Sequence, residues 1–154
     1  VPGGIDIHST IFNIVDAIEK TYGEDDEHII VTHDSVRPFV TLRIIEENIE
    51  AAKEYGACDT VVGAIDTIVV SEDGEVISGI PDRRKMFQGQ TPQSFKMSMN
   101  KNMYYDLTED EKAILTDACK ICCVRDVPVK LVKGEVSNIK ITTIDDMKMA
   151  QAMI

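Results

Sequence analysis

Four segments of the sequence carry charged or hydroxyl side chains that suit the binding of a phosphorylated ligand. The first, His33–Pro38, directly follows a short β-branched run and places Asp34 three residues before Arg37. An aspartate in this position can hold a divalent cation, and an arginine can hold a phosphate through two parallel hydrogen bonds. The alternative, from spacing alone, is a local Asp34–Arg37 ion pair in a turn, with His33 as a structural hydrogen-bonding residue.

The other three segments also offer cations or polar groups. Asp82–Lys85 contains three consecutive cations, which either capture a phosphate or form the solvated base of a hairpin. Gln88–Gln93 combines three amides with a hydroxyl group and suits a polyol or phosphate pocket, although alone it is a polar turn. Lys140 lies between two isoleucines on an extended segment, so it points away from them and either neutralises a phosphate or is an edge-strand lysine.

These segments contain no evident pair of nucleophile and base. Ser35 has His33 two residues away, but no third group that would orient the histidine is evident. Phosphate-binding cations and a metal-competent aspartate without such a pair favour direct phosphoryl or nucleotidyl transfer, in which positioning and charge neutralisation do most of the catalysis.

Composition limits the classes of function. The 154 residues correspond to one domain, with 44% hydrophobic and 28% charged residues as in globular proteins. No apolar run approaches the roughly 18 residues of a membrane span, and the N-terminus lacks the features of a signal peptide. The net charge of −11 disfavours nucleic acid and anionic membranes as partners but not a small anionic ligand. We expect a cytoplasmic protein.

The four cysteines include one C-x-x-C pair, Cys119 and Cys122, with Cys123 adjacent and Cys58 distant. No second pair and no nearby histidine completes the four ligands that zinc needs. We therefore expect small buried side chains on a helix in a reducing compartment, with a zinc protein as the alternative.

Helical and extended patterns alternate along the chain. Apolar spacing predicts helices at 10–20, 41–55, 96–107 and 109–123, and a last one after Thr143 with Met147, Ala150 and Met153 inside. Thr41, Thr108 and Thr143 are the expected caps. The predicted extended runs are a buried strand at 28–32 and further runs at 60–62, 67–70, 75–77, 129–132 and 138–142. Segment 88–95 is either a strand or a loop, and 23–27 is a charged break between elements.

Asp73-Gly74 between two β-branched runs is a strong hairpin signal. This hairpin interrupts the alternation, so we expect it to project and to meet a partner chain. The alternation otherwise predicts an α/β sheet with crossover helices. Ligands of such sheets bind beyond the carboxyl ends of the strands, which is where Asp34 lies.

Six segments, in this order, resemble the cytidylyltransferases that activate sugar-alcohol phosphates. They are His33–Phe39, Ile65–Ile68, Ile80–Arg83, Gln88–Phe95, Leu115–Ala118 and Asn138–Thr143, and they span nearly the whole chain. The family includes D-ribitol 5-phosphate and 2-C-methyl-D-erythritol 4-phosphate enzymes, and segments 34–39 and 88–93 are more similar to the ribitol branch. The resemblance implies a Rossmann-like nucleotidyltransferase sheet with a projecting arm at about 66–85.

The resemblance implies a magnesium-dependent reaction in which a polyol phosphate attacks the α-phosphorus of CTP and pyrophosphate leaves. The ribitol branch makes CDP-ribitol for teichoic acid synthesis, and the methylerythritol branch serves isoprenoid synthesis. By resemblance, Asp34 lies near the metal and the nucleotide, Arg37 organises that site, and Lys140 stabilises charge on the α-phosphate. The resemblance also implies that Gly3, Gly4, Thr10 and Ser35 lie near the nucleotide. It implies that Thr67 and Arg83, on the arm, bind the polyol phosphate in the neighbouring subunit of a homodimer. Thr91 and Asp117 are the implied residues of the substrate pocket.

The chain departs from the family pattern at two positions. Ile7 stands where the family usually has an arginine near the nucleotide, whereas Thr10 keeps the hydroxyl of the usual serine. Ser137 stands where the methylerythritol branch often has an aspartate, which again favours the ribitol branch.

The family also opens with a strand and a Gly-rich loop whose Arg and Lys hold the CTP triphosphate, and this sequence contains no such loop. We therefore expect residues 1–154 to be the C-terminal part of a single nucleotidyltransferase domain, short by about 60–90 residues at ~30 per βα unit, and catalytically silent alone. An apolar sheet edge would then be exposed and compensated by tight dimerisation or a rearranged sheet. The alternative function is a non-catalytic dimeric module that binds a polyol phosphate.

Overall fold

The computed structural model describes residues 1–23 and 25–154, which form a four-stranded sheet with helices on both faces. Glu24, inside the predicted charged break, lies outside the described residues. The strands are β1 (Ile29–Thr32), β2 (Ala57–Gly63), β3 (Phe87–Lys96) and β4 (Lys130–Lys133). The α-helices are α1 (Ile7–Tyr22), α2 (Leu42–Tyr55), α3 (Met97–Tyr105), α4 (Glu109–Ala113), α5 (Lys120–Val124) and α6 (Ile144–Met153), and Arg83–Lys85 form a 3-10 helix.

The sheet has the order β1-β3-β2-β4. β3 is antiparallel to both β1 and β2, and β2 is parallel to β4. The strands β1, β2 and β4 therefore run in one direction, and their carboxyl ends meet at one edge, as the predicted α/β architecture requires. The sheet is mixed because segment 88–95, which was predicted to be either a strand or a loop, forms part of the antiparallel strand β3.

Apolar side chains cover both faces of the sheet. On one face α1, α3 and α5 pack around Phe12, Val15, Phe95 and Ile121. On the other face α2 packs on the sheet through Ala52 and neighbouring residues. Burial of each large side chain contributes about 1.5–3 kcal/mol, so these two layers hold the sheet edge in place.

The prediction of one continuous helix over 109–123 is wrong, because this segment forms two short helices, α4 and α5, with a turn between them. Asp117 Oδ1 accepts hydrogen bonds from the backbone N–H groups of Cys119 and Lys120, a local turn that competes with helix continuation. The capping boxes at Thr108 and Thr143 are confirmed. Thr41 precedes α2 as expected, but its hydroxyl bonds Glu135 instead of capping the helix.

The predicted hairpin strands 67–70 and 75–77 are reduced to a single antiparallel bridge between Val70 and Gly79. A two-stranded ribbon without a sheet to pack on is marginal in water, which explains the loss of regular pairing. The segment 64–82 nevertheless leaves the sheet as a mostly exposed arm, and its tip is ordered by Asp73 Oδ1, which accepts from the N–H groups of Glu75 and Val76.

Three more expectations need correction. The strand β1 is half-buried rather than buried, with Val31 38% exposed, because β1 lies at an edge of the sheet. Segment 138–142 is not a strand, although Ile141 N–H donates to Val36 O. Only Ala150 of the predicted apolar face of α6 is buried. Among the described residues, no helix is both long and apolar enough to cross a membrane.

Candidate functional site

A cavity of about 510 Å³ opens where β1 ends and beside the first half of β3. Its apolar wall comes from α1, through Ile7, Ile11 and Ile14. Its polar wall comes from five parts of the chain. The segment after β1 contributes His33, Asp34 and Arg37, and the segment after β4 contributes Lys140. The two central strands and the turn before α5 contribute the rest: Asp59 of β2, Gly89, Gln90, Thr91 and Gln93 of β3, and Thr116 and Asp117 of the turn. The site therefore has the location that the strand directions predict.

Asp34, Arg37 and Lys140 form a charged cluster at the edge of this cavity. Lys140 Nζ lies 3.0 Å and Arg37 Nε lies 3.5 Å from Asp34 Oδ2. The local Asp34–Arg37 ion pair that spacing allowed is thus present, but Lys140 joins it from a distant part of the sequence. Two cations facing one carboxylate leave a net positive charge in an acidic protein, which suits a phosphate.

Hydrogen bonds fix the three segments that carry this cluster. The Thr91 hydroxyl accepts from the Asp34 N–H at 3.0 Å and contacts His33 Nδ1 at 3.0 Å, while His33 Nε2 lies 2.9 Å from Arg37 O. His33 is therefore the structural hydrogen-bonding residue of the alternative interpretation. The fully buried Asn138 donates to Thr91 O at 2.8 Å, and Arg37 Nη1 donates to Asn138 O at 2.7 Å.

A second polar cluster lies deeper in the cavity. Gln93 Nε2 donates to Asp59 Oδ1 at 3.0 Å and lies 3.4 Å from Asp117 Oδ1. Burial, together with a smaller contribution from the nearby Asp117, raises the pKa of Asp59 to about 6. The sequence analysis missed Asp59, although a carboxylate within a β-branched run is the signal that would have found it.

The other predicted site residues lie outside this cavity. Gly3, Gly4 and Thr10 come together before and within α1, where Gly4 N–H donates to the Thr10 hydroxyl at 2.9 Å. A side chain on Gly4 would overlap Ser9, so only glycine fits there. Ser35 is exposed and does not line the cavity.

Thr67 and Arg83 lie on the arm and at its base. Both side chains are exposed, and neither lines the cavity of its own chain. Arg83 Nη1 donates to Ile65 O at 2.5 Å, which ties the 3-10 helix to the start of the arm. The structure thus brings together Asp34, Arg37, Thr91, Asp117 and Lys140 within one chain, but not the two arm residues.

The cavity residues fit magnesium only as partial ligands. Within residues 1–23 and 25–154 no cluster of three or more His, Cys, Asp or Glu side chains is arranged to hold a metal ion. Asp34 offers one hard carboxylate, and protein-bound Mg²⁺ commonly takes one or two carboxylates plus substrate phosphates and water. Asp34 therefore fits an ion that arrives with a nucleotide, rather than an ion held by the protein alone.

Among residues 1–23 and 25–154, the cysteines belong to no group of three or more His, Cys, Asp or Glu side chains that could hold a metal ion. Cys58, Cys119 and Cys122 are buried and Cys123 is exposed, all as free thiols. Burial raises the pKa of the Cys58 and Cys122 thiols to about 11, so both stay protonated at neutral pH. The expectation of small buried side chains on a helix is wrong for Cys58, which lies on β2, and for Cys123, which is exposed.

Comparison with known proteins matches residues 1–154 to the family of 2-C-methyl-D-erythritol 4-phosphate cytidylyltransferase, IspD. The chain belongs to this family. IspD proteins are cytidylyltransferases, that is, nucleotidyltransferase enzymes. The family match supports the expected polyol-phosphate cytidylyltransferase group, whereas the expected ribitol-phosphate branch is not confirmed by it.

Solved IspD-type structures share the fold of this chain. The Thermus thermophilus 2-C-methyl-D-erythritol 4-phosphate cytidylyltransferase is 26% identical with a TM-score of 0.81, covering 99% of this chain and 71% of its own. The Anaerococcus prevotii 4-diphosphocytidyl-2C-methyl-D-erythritol synthase is 28% identical with a TM-score of 0.82, covering 99% and 66%. The Francisella tularensis 2-C-methyl-D-erythritol 4-phosphate cytidylyltransferase is 22% identical with a TM-score of 0.84, covering 99% of this chain and 70% of its own. At this identity the similarity supports the fold alone. This chain thus spans about two thirds of their length.

Proposed function

We propose that this chain supplies the acceptor-binding and charge-neutralising residues of a cytidylyltransferase that transfers CMP from CTP to a polyol phosphate. The observation that carries the proposal is the approach of Lys140 and Arg37 to Asp34 at the carboxyl edge of the sheet. The same cavity continues into hydroxyl, amide and carboxylate groups, which suit the hydroxyls of a polyol.

In the proposed reaction an oxygen of the acceptor phosphate forms a bond to the α-phosphorus of CTP. The bond from that phosphorus to the bridging oxygen breaks, and pyrophosphate leaves with the electron pair. Lys140 neutralises the charge that develops on the α-phosphate, and Asp34 holds the Lys140 ammonium in place. Arg37 orients the phosphate groups beside it. The acceptor phosphate is already a nucleophile, so no general base is needed.

Asp34 would contribute one ligand to Mg²⁺ in this proposal. When bound, the ion supplies charge neutralisation on the nucleotide phosphates. Arg37 and Lys140 hold the Asp34 carboxylate in place through ion pairs that do not depend on a metal ion.

Two acceptors are candidates, and different observations favour them. The family match and the names of the similar structures favour 2-C-methyl-D-erythritol 4-phosphate. Ser137, in place of the aspartate that is frequent in the methylerythritol branch, and the motifs at 34–39 and 88–93 favour D-ribitol 5-phosphate. Both acceptors are phosphorylated polyols, so the reaction is the same.

We further propose a homodimer in which Thr67 and Arg83 of each arm act in the cavity of the other subunit. The arm exposes Val69, Val76, Ile77 and Ile80, each more than half exposed, which is costly for a segment in water. An apolar groove at its base, lined by Ile65, Phe87, Leu131 and Val136 among others, extends this surface. A monomer in sedimentation would contradict the dimer.

The test uses protein expressed from the complete reading frame that contains this sequence. It is incubated with CTP, Mg²⁺ and either acceptor, and we expect CDP-polyol and pyrophosphate in equal amounts. Folded protein that forms no product with either acceptor contradicts the catalytic proposal. Calorimetric binding of a polyol phosphate would then favour the non-catalytic module. We expect residues 1–154 alone to release no pyrophosphate, because they contain no Gly-rich loop with Arg and Lys to hold the triphosphate.

A further inference from the structure

Asp59 is a carboxylate at the point where the apolar core changes into the cavity. It lies in the middle of β2, directly across from Gln93 of β3. Two residues earlier on the same face, Ala57 pairs with Phe95, and both are buried in the core. A half-buried carboxylate beside an apolar core is unfavourable, so its presence calls for a partner or a ligand.

The hydrogen bonding of Asp59 is incomplete within the described residues. Gln93 donates to Oδ1 and the Thr60 backbone N–H lies near the carboxylate, whereas Oδ2 lies beside Gly89 in the cavity wall with no donor within hydrogen-bond distance among the described residues. A methyl group on Gly89 would lie 3.7 Å from Oδ2, in ordinary contact, so the glycine leaves room for a ligand atom beside the carboxylate. Burial raises the pKa of Asp59 to about 6, and its carboxyl is therefore mostly ionised at neutral pH, as an acceptor only.

The cavity has two chemically different ends. Thr91 and Gln93 are two residues apart on β3, and both line the cavity. Thr91 contacts the segment that carries Asp34, whereas Gln93 contacts Asp59 and Asp117. The cationic end attracts a phosphate, and the pair of carboxylates repels one. A phosphorylated polyol would fit this cavity with its phosphate near Lys140 and its hydroxyls towards Asp59.

Resting on the proposed function, we propose that Asp59 determines acceptor specificity, because its open carboxylate oxygen accepts hydrogen bonds from the hydroxyls of an unbranched polyol phosphate. A methyl branch placed against this oxygen would leave a desolvated acceptor without a partner. A site built to bond a hydroxyl rejects an analogue that lacks it far more strongly than an apolar site rejects an extra group, and the branched acceptor has one hydroxyl-bearing carbon fewer than D-ribitol 5-phosphate. Asp59 therefore favours D-ribitol 5-phosphate over the methyl-branched 2-C-methyl-D-erythritol 4-phosphate.

The test compares kcat/KM for these two acceptors in protein from the complete reading frame. We expect wild type to prefer D-ribitol 5-phosphate at least tenfold. Asp59→Asn should lower kcat/KM for D-ribitol 5-phosphate about tenfold, with a smaller effect on the branched acceptor and an unchanged KM for CTP. Asp59→Val should reduce the preference further. The matched control Glu54→Gln removes an equal charge from an exposed position on α2, across the sheet, and should leave the ratio unchanged.

Gly89→Ala keeps the Asp59–Gln93 bond and occupies the space beside Oδ2, so it serves as a second variant if Asp59→Asn does not fold. It should lower the preference for D-ribitol 5-phosphate in the same direction. Equal losses for both acceptors, or a wild-type preference for the branched acceptor, would overturn the role of Asp59 while leaving cytidylyl transfer intact. Folded wild type that makes no product with either acceptor would overturn the proposed function as well.

Discussion

The Nζ atom of Lys140 lies 3.0 Å from Oδ2 of Asp34, although the two residues are far apart in sequence. One follows β1 and the other follows β4, the two outer strands of the sheet. The contact exists because Ile141 N–H donates to Val36 O, which joins the two segments beyond the sheet edge. The ion pair therefore forms only when the whole sheet is folded, and it lies at the position where the proposed reaction takes place.

Lys140→Gln should lower kcat for cytidylyl transfer by about 10²–10³-fold, the usual effect of losing one preorganised group that stabilises transition-state charge. The fold should persist, because Lys140 is half exposed. Steady-state kinetics and thermal unfolding check both statements. Lys148→Gln, which removes an exposed lysine paired with Asp145 on α6, is the matched control and should leave kcat unchanged.

A double-mutant cycle with Asp34→Asn separates the two residues. If Asp34 acts by orienting Lys140, the two losses in kcat are strongly non-additive. Additive losses would show that Asp34 and Lys140 act independently, which contradicts the orienting role proposed for the carboxylate.

The arm gives a prediction about the subunit that completes each site. Arg83→Gln should raise KM for the polyol phosphate at least tenfold, because the guanidinium is proposed to bind that phosphate in the neighbouring subunit. At a polyol phosphate concentration well below the raised KM, mixing the weakly active Arg83→Gln and Lys140→Gln proteins should then restore activity to about a quarter of wild type, since half of the dimers are mixed and each has one intact site. Arg84→Gln, whose side chain pairs with Asp82, is the control. Absence of any restoration after subunit exchange would place Arg83 in its own chain's site.

Much of the fold was predictable because local signals agreed with tertiary contacts. The helices α1, α2 and α3 lie where apolar spacing predicts them, and the capping boxes before α4 and α6 form. The conformation of the arm and the division of the helix at 109–123 were harder to predict. The first depends on whether the two-stranded ribbon packs on a sheet, and the second depends on the hydrogen bonds of the Asp117 carboxylate to the backbone of Cys119 and Lys120. Neither question is settled by local propensity.

The candidate site was predictable to the extent that it follows strand ends. Asp34 was predicted in this way, whereas Lys140 was predicted from its place between two isoleucines on an extended segment, and the structure brings the two into contact. Asp59 was missed because it lies inside a strand, where alternation predicts only which face a side chain occupies. Its proximity to Asp117 depends on the turn before α5, and no sequence pattern fixes that distance.

Asp59→Asn should stabilise the protein at pH 8 but not at pH 4. The folded-state pKa of about 6 lies above the usual value of 3.8, so the folded protein binds the proton more tightly than the unfolded chain. Stability therefore falls as the pH rises from about 4 to 6, and the penalty is fully present above 6. Asparagine keeps an oxygen for Gln93 and avoids the penalty.

The expected gain at pH 8 is about 1–2 kcal/mol, discounted from ~1.4 kcal/mol per pKa unit because Asp59 is partly exposed to solvent. Urea unfolding at the two pH values measures it. An equal effect of the substitution at pH 4 and pH 8 would contradict a raised pKa at this position.

Gly134→Ala tests the support of the segment that carries Lys140. A side chain at Gly134 would overlap Gln90 Oε1 and Thr60 Cγ2. Gln90 is buried and donates to Glu135 O at 2.9 Å, so its displacement should shift the segment after β4. We expect a loss of about 1–3 kcal/mol of stability from overpacking, together with a reduced kcat. Gly63→Ala, with open space at its position, should show neither effect in urea unfolding or kinetics.

Ile7→Arg tests why the chain departs from its family pattern before the cavity. Ile7 is 51% exposed and forms part of the cavity wall. The resemblance to the cytidylyltransferases implies an arginine near the nucleotide at this position. An arginine there keeps its stem on the apolar wall and places its charge in the cavity, because long basic side chains place only their heads in water. We expect KM for CTP to fall about three- to tenfold, with KM for the polyol phosphate unchanged, since one added charge-assisted hydrogen bond contributes on the order of 1 kcal/mol. Ile7→Lys should give a smaller decrease, because an ammonium lacks the planar fork that pairs with phosphate. An unchanged or higher KM for CTP in both variants would show that this side of the cavity does not face the nucleotide.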